Sequence, residues 1–256
     1  MSLIREWKAD DLKVSVFDME AEMGKAAARD VAAEILRLQK VKEEINVMFA
    51  AAVSQQEFWN ALLQYPEIQW ERIRAFHMDE YCGLPIGDPH SLSAFLCTRF
   101  LDRVPVKHKC FLNGACSDPE EECRRYGKLL EQFPCDLTFL GIGDNGHLAF
   151  NDPHVAEFHD TRTVKTVEID EISKQQQVNA GNFPDKESVP SLAFTVTVPA
   201  LLKGGKIFCM APTSYKAQAV HNTLCGPISE TCPASILRRC TNANLYLDRE
   251  SAELLP

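Results

Sequence analysis

The 256 residues predict an α/β fold, a doubly wound, mostly parallel sheet with helices on both faces, in a single domain. Three observations carry that expectation. Short apolar runs rich in strand formers, at Ile45–Ala50, Ile73–Met78, Leu137–Leu140 and Lys206–Ala211, alternate with longer helical patterns. Several of the runs are apolar nearly throughout, as strands covered on both faces are. The third run leads straight into Gly141, Gly143 and Gly146, with Asp144 and Asn145 between them, a composition that suits neither a strand nor a helix interior. It reads as a loop at the carboxyl end of a strand, the edge at which open α/β sheets bind ligands.

Taken in order, the first element is a helix from Met19 to about Lys40, where Met23, Ala27, Val31, Ile35 and Leu38 recur at three- or four-residue spacing. The Ile45–Ala50 strand follows, and Ser54 can cap a helix from Gln55 to Leu63. After the Ile73–Met78 strand, Ser91 can cap a helix through Leu101. Ser117-Asp-Pro-Glu120 matches a capping box with proline in the first turn and starts a helix to about Gln132. Thr163–Ile169 reads as a strand, Glu171–Ala180 as a helix, and Ser191–Val198 as a further strand before Lys206–Ala211. Thr213 or Ser214 caps a helix to about Leu224, and Asn244–Leu247 is the last strand. Asn182–Pro190, with two prolines and several charges, is the expected mobile surface segment. Parallel crossovers would bring Ala50–Ser54, Asp79–Gly83, Gly141–Asp152 and Ala211–Lys216 to one edge of the sheet.

Bulk composition narrows the function classes. A chain 45% apolar and 25% charged is ordinary globular material, and a formal net charge of −9 argues against nucleic acid or an anionic membrane as the main partner. No apolar run approaches the ~20 residues that span a bilayer. Met1-Ser2-Leu3, followed by Arg5, Lys8 and Asp10, lacks the apolar core of a signal peptide, so the expected location is the cytoplasm. The ten cysteines contain no Cys-x-x-Cys pair and read as reduced, mostly buried thiols rather than zinc ligands.

Individual residues leave alternatives open. Asp79 ends an apolar run, where it is either a loop-ordering carboxylate or a general base with a raised pKa. His147 precedes the apolar Leu148-Ala149-Phe150 and is either a structural histidine or an acid/base group partnered by Asp152 or Asp144. Lys216, in the first turn after Thr213 and Ser214, is either a solvated cation or part of a phosphate site. Gly141, Gly143 and Gly146 spell Gly-x-Gly-x-x-Gly without the first-strand position and downstream acid of a dinucleotide fold, so no nicotinamide cofactor is expected.

Together the motifs are more specific than their members. Met78-Asp-Glu-Tyr-Cys-Gly-Leu-Pro85, Pro89-His-Ser91 and Gly141–Pro153 resemble the glucosamine-6-phosphate deaminase (isomerase) family. Val189-Pro190, Ala193-Phe-Thr-Val196, Leu201-Leu202 and Thr213-Ser-Tyr-Lys-Ala217 extend the resemblance in consistent order. It implies a doubly wound α/β domain that opens, isomerises and deaminates an amino-sugar phosphate, yielding a ketose phosphate and ammonia with no cofactor and no metal. It further implies Asp79 as the base that moves a proton between sugar C2 and C1, and His147 as the group that promotes ring opening. Asn145 and Asp152 fall where the family keeps carboxylates beside that histidine. Substrate contacts fall to Ala51, Ala52, Val53, Ser54, Glu80, Gly143, Gly146 and Lys216. The resemblance also allows a homo-oligomer.

This chain departs from the family pattern in one direction. Asn145 replaces an Asp, Asp152 replaces a Glu, alanines fill the glycine-rich phosphate loop, and Gln177–Asn182 holds no arginine where the family has one. These changes weaken phosphate binding and alter the ring-opening apparatus while keeping the base. One reading is a working isomerase/deaminase, with a substrate that differs in stereochemistry or lacks the phosphate. A second is a feeble or non-catalytic sugar-binding protein. A third is a 6-phosphogluconolactonase-like hydrolase, which shares the glycine-histidine loop. Retention of Asp79 and His147 favours an enzyme.

Overall fold

A computed structural model describes residues 2–85 and 87–256. Its strands are β1 (Leu3–Ala9), β2 (Leu12–Phe17), β3 (Ile45–Phe49), β4 (Ile73–His77), β5 (Asp79–Tyr81), β6 (His108–Cys110), β7 (Leu137–Leu140), β8 (Val164–Glu168), β9 (Leu192–Val196), β10 (Lys206–Met210) and β11 (Ala243–Asp248). Its helices are α1 (Glu20–Gln39), α2 (Gln56–Leu62), α3 (Leu92–Arg99), α4 (Pro119–Gln132), α5 (Glu171–Asn179), α6 (Val198–Leu202) and α7 (Ala217–Cys225).

Eight strands form the main sheet in the order β1-β2-β11-β10-β7-β3-β4-β6. All its pairings are parallel except that of β1 with β2, an antiparallel edge. Strand side chains feed two separate cores. Val47, Phe49, Phe139, Phe208 and Tyr246 pack with the apolar stripes of α1, α2 and α3. Met48, Phe76, Ile207, Cys209 and Leu245 pack with α4, α6 and α7 on the other face. Both faces being covered, the central strands read as unbroken apolar runs. The doubly wound expectation holds.

Several expectations change in detail. The β1–β2 hairpin leaves no strand signature in the sequence, because β1 is exposed along most of its length and carries no buried alternation. Strands β8 and β9 do not join the main sheet: with β5 they form a separate antiparallel sheet, in the order β5-β9-β8. Asp118, not Ser117, caps α4, accepting from the Glu121 amide. Ser54 and Thr213 make no cap; each lies in or just before a 3₁₀ turn, Val53–Gln55 and Ser214–Lys216, that feeds the following helix. Ser91 does cap α3, accepting from the Ala94 amide. Within 182–190, Phe183 and Val189 are buried against the small sheet, Phe183 meeting Tyr81 edge-on at 5.4 Å. All ten cysteines are free, and most are half-buried rather than fully buried. Among the described residues no helix is long and apolar enough to cross a membrane.

Candidate active site

The four loops do converge at the carboxyl edge of the main sheet. They enclose an inner pocket of about 70 Å³ and, beside it, an outer chamber of about 370 Å³. Ala51, Ala52 and Ser54, from the loop after β3, line both. Asp79, His147 and Gly143 line the inner pocket; Val53 and Asp144 line the outer one; Lys216, Gln176 and Gln177 face each.

Asp79 opens β5, directly after the buried end of β4, and pairs in register with Thr195. The small sheet therefore aims its carboxylate into the pocket. Burial raises its pKa to about 8, and the neighbouring Glu80 charge adds to the rise. A carboxylate poised there exchanges protons readily near neutral pH.

His147 rests directly on Gly143. A Cβ built on Gly143 would stand 2.2 Å from ring atoms Cε1 and Nε2, so only glycine leaves room for the imidazole. The ring's Nδ1 lies 2.9 Å from Asp152 Oδ1 and 3.0 Å from Ser173 Oγ. Ser173 donates its own hydroxyl to the same Asp152 oxygen at 2.5 Å, which leaves its lone pairs for Nδ1–H. With Nδ1 as donor, Nε2 is the nitrogen free to work in the pocket. Asp152 is fully buried. Burial opposes its charge, but His147, Asn145 and Ser173 outweigh that and bring its pKa down to about 2.

Asn145 stands behind this pair. Its amide nitrogen donates to Asp152 Oδ1 at 3.0 Å and to Asp170 Oδ2 at 2.9 Å, and its oxygen accepts from the His147 amide at 3.0 Å. Asp170 caps α5, accepting from the Ser173 amide at 2.7 Å, so helix capping and histidine support share one network. Asp152, His154 and Asp170 bring ligand atoms within 4.8 Å of one another, but both carboxylates already serve these donors, and no metal centre is assigned. The loop itself is stitched to β9: Thr195 Oγ1 accepts from the Phe150 amide and the Asn151 side chain.

At the opposite side of the cavity, Lys216 Nζ bonds Asp144 Oδ1 at 2.5 Å. The Lys216 loop begins at Thr213, a β-branched residue at φ 76°, whose amide donates to both oxygens of Asp248 at 3.1 Å. That buried carboxylate holds the strained turn in place.

Two expected contacts fall elsewhere. Glu80 lies outside the pocket; its carboxylate accepts from the amides of Tyr81, Leu92 and Ser93 and so ties β5 to the start of α3. Burial opposes its charge, but His77 and Ser93 prevail and hold its pKa down. Gly146 adopts φ 85° and packs against Cys232 rather than the cavity. Conversely, Asp170, Ser173, Gln176 and Gln177 were not anticipated as site residues. Only Asp170 and Ser173 carried a signal, an acid at a strand–helix junction with a hydroxyl three residues on.

A buried carboxylate of raised pKa and a buttressed imidazole facing one small cavity, with a lysine across it, make a class of site suited to moving protons on a small polar ligand. The chain belongs to the glucosamine-6-phosphate isomerases/6-phosphogluconolactonase family, whose sequence profile matches residues 18–247. A glucosamine-6-phosphate deaminase of Listeria monocytogenes serotype 4a (strain HCC23) is 32% identical over 231 residues, which are 90% of this chain and 97% of that protein. A solved monomeric glucosamine-6-phosphate deaminase superposes with a TM-score of 0.86 at 32% identity, covering 94% of this chain and 99% of its own. The 6-phosphogluconolactonase of Trypanosoma brucei shares the fold, with a TM-score of 0.77 at 19% identity, over 95% of this chain and 98% of its own.

Proposed function

We propose that this chain is an amino-sugar phosphate isomerase/deaminase, turning a glucosamine 6-phosphate-like substrate into a ketose phosphate and ammonia. The observation that carries the reading is the opening of Asp79 and His147 onto one pocket, each held from a different loop. His147, its Nδ1 proton held by Asp152 and Ser173, takes the C1 hydroxyl proton at Nε2 and passes it to the ring oxygen as the bond from that oxygen to C1 breaks, freeing the open-chain aldehyde. Asp79 takes the proton from C2 and returns it to C1 through an enolamine. Protonation at C1 leaves an iminium at C2; a water molecule adds to that carbon, the C–N bond breaks, and ammonia departs to leave the C2 carbonyl. The carboxylate's pKa of about 8 leaves it able both to accept and to release that proton. Ser54 and Lys216 lie where the distal phosphate would sit.

In this reading the protein works in the cytoplasm without cofactor. The test is ammonia release from purified protein given glucosamine 6-phosphate, with galactosamine 6-phosphate and glucosamine alongside and Asp79→Asn as control. Release that vanishes in the control supports the proposal. Silence on all three sugars, with intact folding, overturns it.

A further inference from the structure

The distal end of the cavity carries an unusual charge balance. Among the described residues lining either chamber, Lys216 is the one lysine or arginine, and it is buried. Its ammonium is already engaged by Asp144 at 2.5 Å. Asp144 is held for that contact: its own amide donates to Gln176 Oε1 at 3.0 Å, fixing the loop. Glu20 adds a further carboxylate to the outer chamber wall. A phosphate dianion entering this end meets a cation whose charge has been cancelled, beside a carboxylate that repels it.

We propose that Asp144 is a specificity-determining residue: it competes with the substrate's phosphate for Lys216 and so sets how strongly the site prefers a phosphorylated sugar over the neutral one. The proposal rests on the amino-sugar phosphate reading above. To bind, the phosphate displaces or shares the Asp144 contact, and the enzyme discriminates only weakly against an amino sugar whose C6 carries a plain hydroxyl. The polar side chains beside it supply contacts for that hydroxyl: Ser54, Gln176 and Gln177 all reach the shared wall of the two chambers.

Asp144→Asn keeps the shape and an oxygen for Lys216 but removes the competing charge. The ratio of kcat/KM for glucosamine 6-phosphate to that for glucosamine is expected to rise about tenfold, through KM of the phosphorylated sugar. Inorganic phosphate, titrated by calorimetry, is expected to bind the variant about tenfold more tightly than the wild type. In a Lys216→Met background the same substitution should move neither quantity beyond the mere removal of a repelling charge, about twofold. A general structural disturbance would lower both sugars together and leave the ratio alone. An unchanged or falling ratio, or an unchanged phosphate affinity, overturns the proposal. If the wild type turns over neither sugar, the functional reading fails, and the phosphate titration alone still decides whether Asp144 guards Lys216.

Discussion

Replacing Gly143 by alanine tests the core of the site with a single methyl group. The added Cβ would meet His147 Nε2 and Cε1 at 2.2 Å and Cδ2 at 2.4 Å, whereas ordinary contact begins at 3.4 Å. The imidazole must therefore withdraw by about 1.2 Å, since the obstacle is the body of a ring rather than a flexible chain end. That movement carries Nδ1 off its 2.9 Å contact with Asp152 and turns Nε2 away from the ligand. A displacement of this size at a catalytic group costs ~100-fold in rate, about 2.7 kcal/mol of barrier. The assay is kcat for ammonia release, with thermal unfolding to confirm that the fold survives. Gly143→Ala is expected to lose about two orders of magnitude in kcat. In a His147→Ala background the new methyl has no ring to meet, so the same change should be nearly silent. A Gly143→Ala enzyme within threefold of wild type, or an equal loss in the His147→Ala background, would refute the placement of His147 as the ring-opening group.

Asp79→Asn should lower kcat by ~10²–10⁴, and wild-type kcat/KM should climb as pH rises through about 8, where the carboxylate ionises. The folded protein holds that proton up to about 8 against an ordinary 3.8, so ionisation penalises the fold progressively between those values and fully above them. Denaturant titrations should accordingly show the Asn variant gaining on wild type as pH is raised, and an advantage that shrinks with pH would contradict the buried carboxylate. Ser173→Ala removes one of two partners of His147 Nδ1 and a donor to Asp152; a loss of about tenfold in kcat with little change in unfolding temperature is expected, and undiminished turnover would mean the hydroxyl is ornamental. Asn145→Asp exchanges a donor shared by Asp152 and Asp170 for a third carboxylate among them, so turnover and stability should fall, stability by about 1–3 kcal/mol at pH 7. The introduced carboxyl would hold its proton more tightly folded than unfolded, so the deficit should shrink toward pH 5; a gain in turnover at pH 7 would show the amide to be a defect rather than an adapted part.

The five central strands β3, β4, β7, β10 and β11 were legible because strands buried on both faces are apolar nearly without interruption, whereas β1, β2 and β6 at the edges were not, and the Gly141–Asp152 loop was legible because its composition excludes every regular structure. Asp79, His147, Asp152 and Lys216 could be named as candidates for the same reason: each sits at a break between an apolar run and a polar loop. The small sheet was not legible. Pairing Asp79 with Thr195 joins segments more than a hundred residues apart, and three residues of strand leave no periodicity to read. Glu80 went astray for a related reason, since successive strand residues point to opposite faces and its neighbour had claimed the cavity. Ser173 reaches His147 only because α5 starts beside Asp152, a closeness set by β8 and not by local chemistry.

The small sheet has a consequence for how this molecule can diverge. Asp79 opens β5, and Thr195 of β9 tethers the loop that bears His147, so the carboxylate and the imidazole share one scaffold. Ser54 and Lys216 hang separately, on the turns after β3 and β10, while Asp144 reaches that end of the cavity from the His147 loop. Substitutions can therefore accumulate in those turns without moving the base relative to the imidazole. A lineage built this way can exchange the sugars it accepts while inheriting its chemistry intact, and the alanines at 50–52 lie in the half of the site that is free to change.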